Sequence, residues 1–258
     1  MATLKNISAV ERTFKILEQL SQVSSSNLEE LARTSRLAKP TVYRFLMTLR
    51  ELGYVKKDDG DRWFLTMKLF SIGSRALDHI QLPTVAKPIC ERLSQKLGET
   101  VHLGILDENE ALYILKIESR YTLRMYSRVG KHIPLYCTAI GKTLLANMED
   151  SDRKRIIQQL TLISFTPHTI KEKKQLLSEL AEIQQRGYAQ DQEEHEEGIS
   201  CIAAPIRDYT GSVVAAVSVS WPVFRFDQTQ KEFFIKEISS AAAEISRILG
   251  FVGPQLST

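Results

Sequence analysis

Cysteine is scarce in this chain. Its 258 residues include only Cys90, Cys137 and Cys201, widely spaced, odd in number and without a CxxC pair. That pattern argues against a disulfide framework and a zinc ribbon, and free thiols fit a reducing compartment. Long apolar runs are missing too: none approaches the roughly 18 residues a membrane span requires. Met1 to Phe14 lacks a basic start followed by an apolar block, so no signal peptide is expected. A cytoplasmic chain with no membrane partner is predicted. Repeats and low-complexity stretches are absent. Hydrophobic residues make up 43% and charged residues 25%, which suits a globular fold and excludes broad disorder. The length allows one large domain or two ordinary ones.

The formal net charge is +3, which by itself excludes only a polycation or an acidic tail protein. Its distribution says more. Residues 1–80 hold 13 Lys+Arg against 9 Asp+Glu, and residues 81–258 hold 21 against 22. Between Leu31 and Lys57 there are seven basic residues and one acid, Glu51. A local excess of that kind predicts a surface for a polyanion, or else a solvated basic face.

The first 80 residues read as a helical reader followed by a hairpin. Ser8 and Glu11 have capping-box spacing, and Val10, Phe14, Leu17 and Leu20 follow at helical intervals. Asn27 and Glu30 form a second candidate box before a short helix ending near Ser35. A third helix starts at Lys39-Pro40, where proline suits the first turn, and buries Val42, Phe45, Leu46 and Leu49. Its exposed N-terminal positions are Lys39, Thr41, Tyr43 and Arg44. Two short helices with polar and basic residues opening the second describe a helix-turn-helix, whose second helix enters the major groove. Tyr54–Lys57 and Arg62–Leu65, around an Asp-Gly turn, predict a β-hairpin wing. Lys56, Lys57 and Arg62 are placed to reach DNA. The alternative is a three-helix core solubilised by its basic residues.

The domain expectation is a winged helix-turn-helix over 1–65, a linker helix over 66–81 and a ligand domain over 82–258. The ligand domain reads as α+β, an antiparallel sheet flanked by helices. Helices are predicted at Val85–Leu97, Ala139–Asn147, Ser151–Gln159, Lys171–Arg186 and Gln228–Leu249. Strands are predicted at Thr100–Leu106, Ala111–Ile117, Leu123–Val129, Ile133–Cys137, Ser200–Ile206 and Val213–Ser220.

Four constellations carry possible chemistry. Gly141-Lys142-Thr143 lacks the glycine five positions earlier that a phosphate loop needs; Tyr136 stands there. Thr138-Ala139-Ile140 opens a helix, whose unpaired N–H groups suit an anion or are simply hydrated. Asp191, Glu193, Glu194, His195, Glu196, Glu197 and Cys201 suggest a divalent metal or a solvated acidic turn. A Cys201 or Cys137 nucleophile with His195 has no local signature. Ser218 and Ser220 share one strand face, as a polar pocket wall or an exposed sheet face. No metal, cofactor or catalytic residue is expected.

Three stretches together resemble the IclR family of bacterial transcriptional regulators. They are Lys39-Pro40-Thr41-Val42-Tyr43-Arg44-Phe45-Leu46, Pro134-Leu135-Tyr136-Cys137-Thr138-Ala139-Ile140-Gly141-Lys142, and Asp191 to Pro205. Glu99 to Gly104, Leu123 to Arg128 and Glu193 to Gly198 are similar to the KdgR-like branch, which answers to 2-keto-3-deoxygluconate. The resemblance implies a GAF/profilin-like effector domain that takes a small carboxylic acid. It places the carboxylate on the N–H groups of Ala139 and Ile140. The remaining pocket is Met125, Asp191, Ile199, Cys201, Ser218 and Ser220, with Asp191 and the serines bonding hydroxyls. Pro40 departs from the family's usual serine, and Ile140 is bulkier than the common residue, which bears on pocket size. The expected protein is a repressor of sugar-acid catabolism, a homodimer or dimer of dimers on double-stranded operator DNA. Alternatives are an activator or dual regulator answering an aromatic or other acid, and a metal- or thiol-dependent enzyme with an accessory DNA-binding domain.

Overall fold

The computed structural model describes residues 7–69, 71–72, 81–122 and 126–253. The chain divides into two compact units, Met1–His79 and Ile80–Thr258.

The first unit begins with α1 (Ser8–Ser21), α2 (Leu28–Ser35) and α3 (Lys39–Glu51). Asn27 caps α2 as its sequence predicts: Glu30 N–H donates to Asn27 Oδ1 at 2.9 Å, and Asn27 N–H donates to Glu30 Oε2 at 3.2 Å. The box expected at Ser8 does not form. Ile7 is the cap residue and Ser8 is already helical, so its hydroxyl is not in capping position. The buried face of α1 also differs from expectation, with Ile16, Leu17 and Leu20 inside and Val10 and Phe14 exposed. In α3, Val42, Leu46 and Leu49 are buried and Phe45 packs at the edge of the core. Pro40 lies in its first turn, and Ala38 supplies no side-chain cap.

The wing consists of β1 (Val55–Lys57) antiparallel to β2 (Trp63–Leu65). Trp63 exchanges two backbone hydrogen bonds with Ser26, which ties the wing to the loop before α2. Residues 67–69 and 71–72 are helical; the rest of the expected linker helix, residues 70 and 73–80, lies outside the described residues.

The second unit is a six-stranded antiparallel sheet in the order β5-β4-β3-β8-β7-β6. The strands are β3 (Thr100–Asp107), β4 (Glu110–Ile117), β5 (His132–Ile133), β6 (Ala189–Gln192), β7 (Ile199–Arg207) and β8 (Val213–Pro222). One face carries α4 (Leu82–Leu97) and α8 (Lys231–Ile248) over Val101, Leu103, Ile202, Val217 and Val219. The other carries α5 (Ala139–Ala146), α6 (Asp150–Gln159) and α7 (Lys173–Arg186) over Ala203 and Ala216. Strand alternation makes this division: Val217 and Val219 go to one core, and Ala216, Ser218 and Ser220 to the opposite face.

Three strand expectations change. Ile133–Cys137 shrinks to the two residues of β5. Tyr126–Val129 is not strand, while residues 123–125 lie outside the described ones. The segment after α7 adds an unexpected edge strand, β6, and the acidic run of residues 193–198 that follows it forms the expected turn. Among the described residues no helix is long and apolar enough to cross a membrane.

Candidate functional site

The face of α3 fits the reader expected from sequence. Arg44 and Tyr43 are exposed at its start, and Thr41 is half-buried. The basic residues around them divide into two groups. Lys39 pairs with Glu29 at 2.8 Å, and Lys57 with Asp61 at 2.5 Å. The Arg62 guanidinium donates to Ser25 Oγ and Ser25 O, both at 2.8 Å. It therefore braces the wing against the loop before α2. Arg44 and Lys56 are exposed and have no ion pair among the described residues. Exposed pairs such as Lys39–Glu29 are weak and exchange readily for phosphate.

The second site forms where α5 crosses the sheet. Thr138 caps the helix by accepting the Gly141 N–H at 3.1 Å and donating to Pro134 O at 2.7 Å. Ala139 and Ile140 occupy the first turn and are buried. Their N–H groups meet no acceptor among the described residues, the usual condition of a first helical turn. Two glycines allow this approach. A Cβ on Gly141 would lie 2.4 Å from Pro134 O, and one on Gly104 of β3 would lie 2.8 Å from Ile140 Cγ2. Gly104 thus makes the space that the bulky Ile140 occupies. Gly141 serves close packing, and the phosphate-loop reading falls.

Sheet register brings the polar candidates together. Asp191 pairs with Cys201, and Cys201 with Ser220, so three adjacent strands place them in one row. Ser218 pairs with Ala203 and with His102 in the next row. Both serines are buried, which removes the exposed-face alternative. Asp191, Ile199, Cys201 and Ser218 line one small hollow with Ala139 and Ile140. Ser220 shares the row of Asp191 and Cys201 but is not among the lining residues, and Met125 lies outside the described residues. The hollow measures about 30 Å³, room for a water or two. A wider groove of about 690 Å³ runs along α7 and β6; Ala139 and Ile140 line the smaller hollow instead.

The electrostatics are unusual for carboxylates. Burial, reinforced by the charge of Glu194, pushes Asp191 up to about 7. Its Oδ1 accepts the Glu194 N–H at 2.8 Å. Glu194, expected in a solvated turn, is buried against the ammonium of Lys142. Lys142 also approaches Glu179 at 3.6 Å, and Arg186 reaches Glu179 at 2.7 Å. Burial raises Glu194, and Lys142 opposes that rise. Burial also pushes the Cys137 and Cys201 thiols up, against a thiolate nucleophile. Among the described residues no group of three or more His, Cys, Asp or Glu is placed to hold a metal.

Sequence reasoning missed several residues around the hollow. Tyr113, Tyr126, Ser127 and Lys131 also line it, as do His195 and Glu196, which the sequence offered only as metal ligands or a solvated turn. Fully buried His102 stands behind them, bonded through Nε2 to Ser127 Oγ at 2.8 Å and stacked on Tyr113 at 4.5 Å. His102 pairs with Lys116, and Tyr113 reaches it across a register shift at Leu103/Gly104 that strand alternation does not reveal. No local pattern marks the turn that carries Lys131.

Comparisons with known proteins identify the family. Residues 9–59 match the IclR helix-turn-helix domain, and residues 74–247 match the bacterial transcriptional regulator IclR C-terminal domain. The chain is 41% identical over 247 residues to the HTH-type transcriptional regulator KdgR of Dickeya chrysanthemi, covering 95% of this chain and 81% of that one. It is 40% identical over 247 residues to KdgR of Escherichia coli, covering 95% and 94%. The crystal structure of the Thermotoga maritima IclR matches with a TM-score of 0.65 at 32% identity, covering 95% and 100%. With a helix-turn-helix and wing in one unit and a helix-covered antiparallel sheet in the other, the chain belongs to the IclR family of bacterial transcriptional regulators, DNA-binding proteins and not enzymes.

Proposed function

We propose that the chain is a repressor of sugar-acid catabolism that leaves its operator when a small carboxylic acid of the 2-keto-3-deoxygluconate type binds. One observation carries the reading. Ala139 and Ile140, in the first helical turn after Thr138, line the same hollow as Asp191, Ser218, Ile199 and Cys201. Backbone dipoles suit a carboxylate, a carboxyl and hydroxyls suit sugar hydroxyls, and the apolar wall excludes water. Similarity to the two KdgR proteins favours this ligand class over an aromatic acid.

The small volume supplies a mechanism. A six-carbon acid does not fit into about 30 Å³, so it binds a conformer whose wall has withdrawn. Binding then shifts the population toward that conformer, and operator affinity falls if the closed one holds DNA better. The reader is Lys39, Thr41, Tyr43, Arg44, Lys56 and Lys57, with Arg62 bracing the wing. A homodimer or dimer of dimers would match a two-fold operator, and free thiols with a DNA partner fit the cytoplasm.

The test is a thermal-shift screen with sugar, keto and aromatic acids, followed by operator binding at fixed salt. A ligand at 100 times its Kd stabilises by about 2.7 kcal/mol. A sugar acid should give the largest shift and release the operator; Arg44→Ala should weaken operator binding and spare the shift. A larger response to an aromatic acid, or tight binding without loss of operator affinity, overturns the proposal.

A further inference from the structure

We propose that Lys131 contacts the effector directly and supplies the positive charge for one of its anionic groups. The inference rests on the small-acid reading of the hollow and adds a charged element to the backbone dipoles of α5.

The position of Lys131 is built into the sheet. Tyr113 N–H donates to Lys131 O at 3.1 Å, and Gly130 N–H donates to Tyr113 O at 2.8 Å. These two bonds pin the turn before β5 onto β4. Half-buried Lys131 lines the same hollow as Ala139 and Ile140. Its Nζ lies 5.8 Å from the centroid of the Tyr126 ring, another part of that wall.

Charge bookkeeping singles it out. Among the described lining residues Lys131 is the one lysine or arginine. The nearby Lys116 is neutralised by Glu118 at 3.0 Å and donates to Ser127 O. Lys131 has no ion pair among the described residues. The histidines do not substitute for it. Burial first, then nearby lysine charge, lowers His102 to about 3, and burial then Lys131 lowers His195. Two carboxyl groups, Asp191 and Glu196, also line the hollow. An acid entering beside them needs a cation, and Lys131 is the lysine that lines the hollow. A charge-assisted bond of this kind separates acids from neutral sugars of the same shape.

Calorimetric titration of the full-length protein tests this. The probes are 2-keto-3-deoxygluconate, its 6-phosphate and a neutral sugar alcohol of equal length. Lys131→Gln should weaken the acids by about ten- to hundred-fold, the range of a charge-assisted bond. Lys131→Arg should restore most of that loss, which a merely structural role would not predict. A loss shared by both acids assigns Lys131 to the carboxylate; a loss confined to the 6-phosphate assigns it to a second anionic group. Wild-type affinity for every acid in the folded Lys131→Gln variant overturns the inference and leaves the acid reading intact. If the wild-type protein binds no acid, both fall.

Discussion

Replacing Asp191 by asparagine should stabilise the effector domain, and the gain should grow with pH. The carboxyl is 4% exposed and pushed up to about 7 from an ordinary 3.8. A raised carboxyl binds its proton more tightly folded than unfolded, so the folded state loses stability as pH rises from about 4 to about 7. Above pH 7 the loss is complete. At about 1.4 kcal/mol per pH unit, it comes to roughly 4 kcal/mol there and roughly 2 kcal/mol at pH 5. Asparagine keeps an oxygen for the Glu194 N–H and carries no charge in either state. The variant should therefore gain roughly 2 kcal/mol at pH 5 and roughly 4 kcal/mol at pH 8. For a domain of this size the larger figure is roughly 10 °C in Tm. Thermal unfolding of both proteins at several pH values measures it, and subtraction cancels every group they share. A Tm difference that stays constant from pH 5 to pH 8 would refute the argument. The stability forgone would mark Asp191 as held for the ligand, the usual exchange at a binding site.

Two further outcomes follow from packing and charge. Lys142→Met should cost about 3–5 kcal/mol in urea unfolding, because it leaves Glu194 buried without its cation; adding Glu194→Leu should recover most of that. Gly104→Ala should cost about 1–3 kcal/mol, since its Cβ would lie 2.8 Å from Ile140 Cγ2. In the Ile140→Ala background the same change should cost far less, and equal costs in the two backgrounds would dismiss the contact.

Local chemistry was readable where a short stretch sufficed. Asn27 and Glu30 satisfy each other within one turn, so their spacing predicted a real cap. The same spacing at Ser8 failed because the helix begins one residue earlier, and a capping residue must still be extended. In α1 two apolar stripes overlap, one through Val10 and Phe14 and one through Ile16. Packing against α2 and the wing chose the second.

The effector site shows the same boundary between sequence and structure. The unpaired amides of Ala139 and Ile140 follow from a helix starting after Thr138, and the shared face of Ser218 and Ser220 follows from strand alternation. The sequence determined those, along with the basic reader and the near-neutral second unit behind a net charge of +3. Tertiary structure decided that Asp191, Cys201 and Ser220 stand in one row, because the pairing register of β6, β7 and β8 sets which residues oppose one another. It decided that Glu194 is buried, because Lys142, 52 positions away, offers a buried cation. It also placed Lys131 in the lining of the hollow, through two backbone bonds between its turn and Tyr113. Each of these depends on contacts between distant segments, and such contacts leave no periodicity in a sequence.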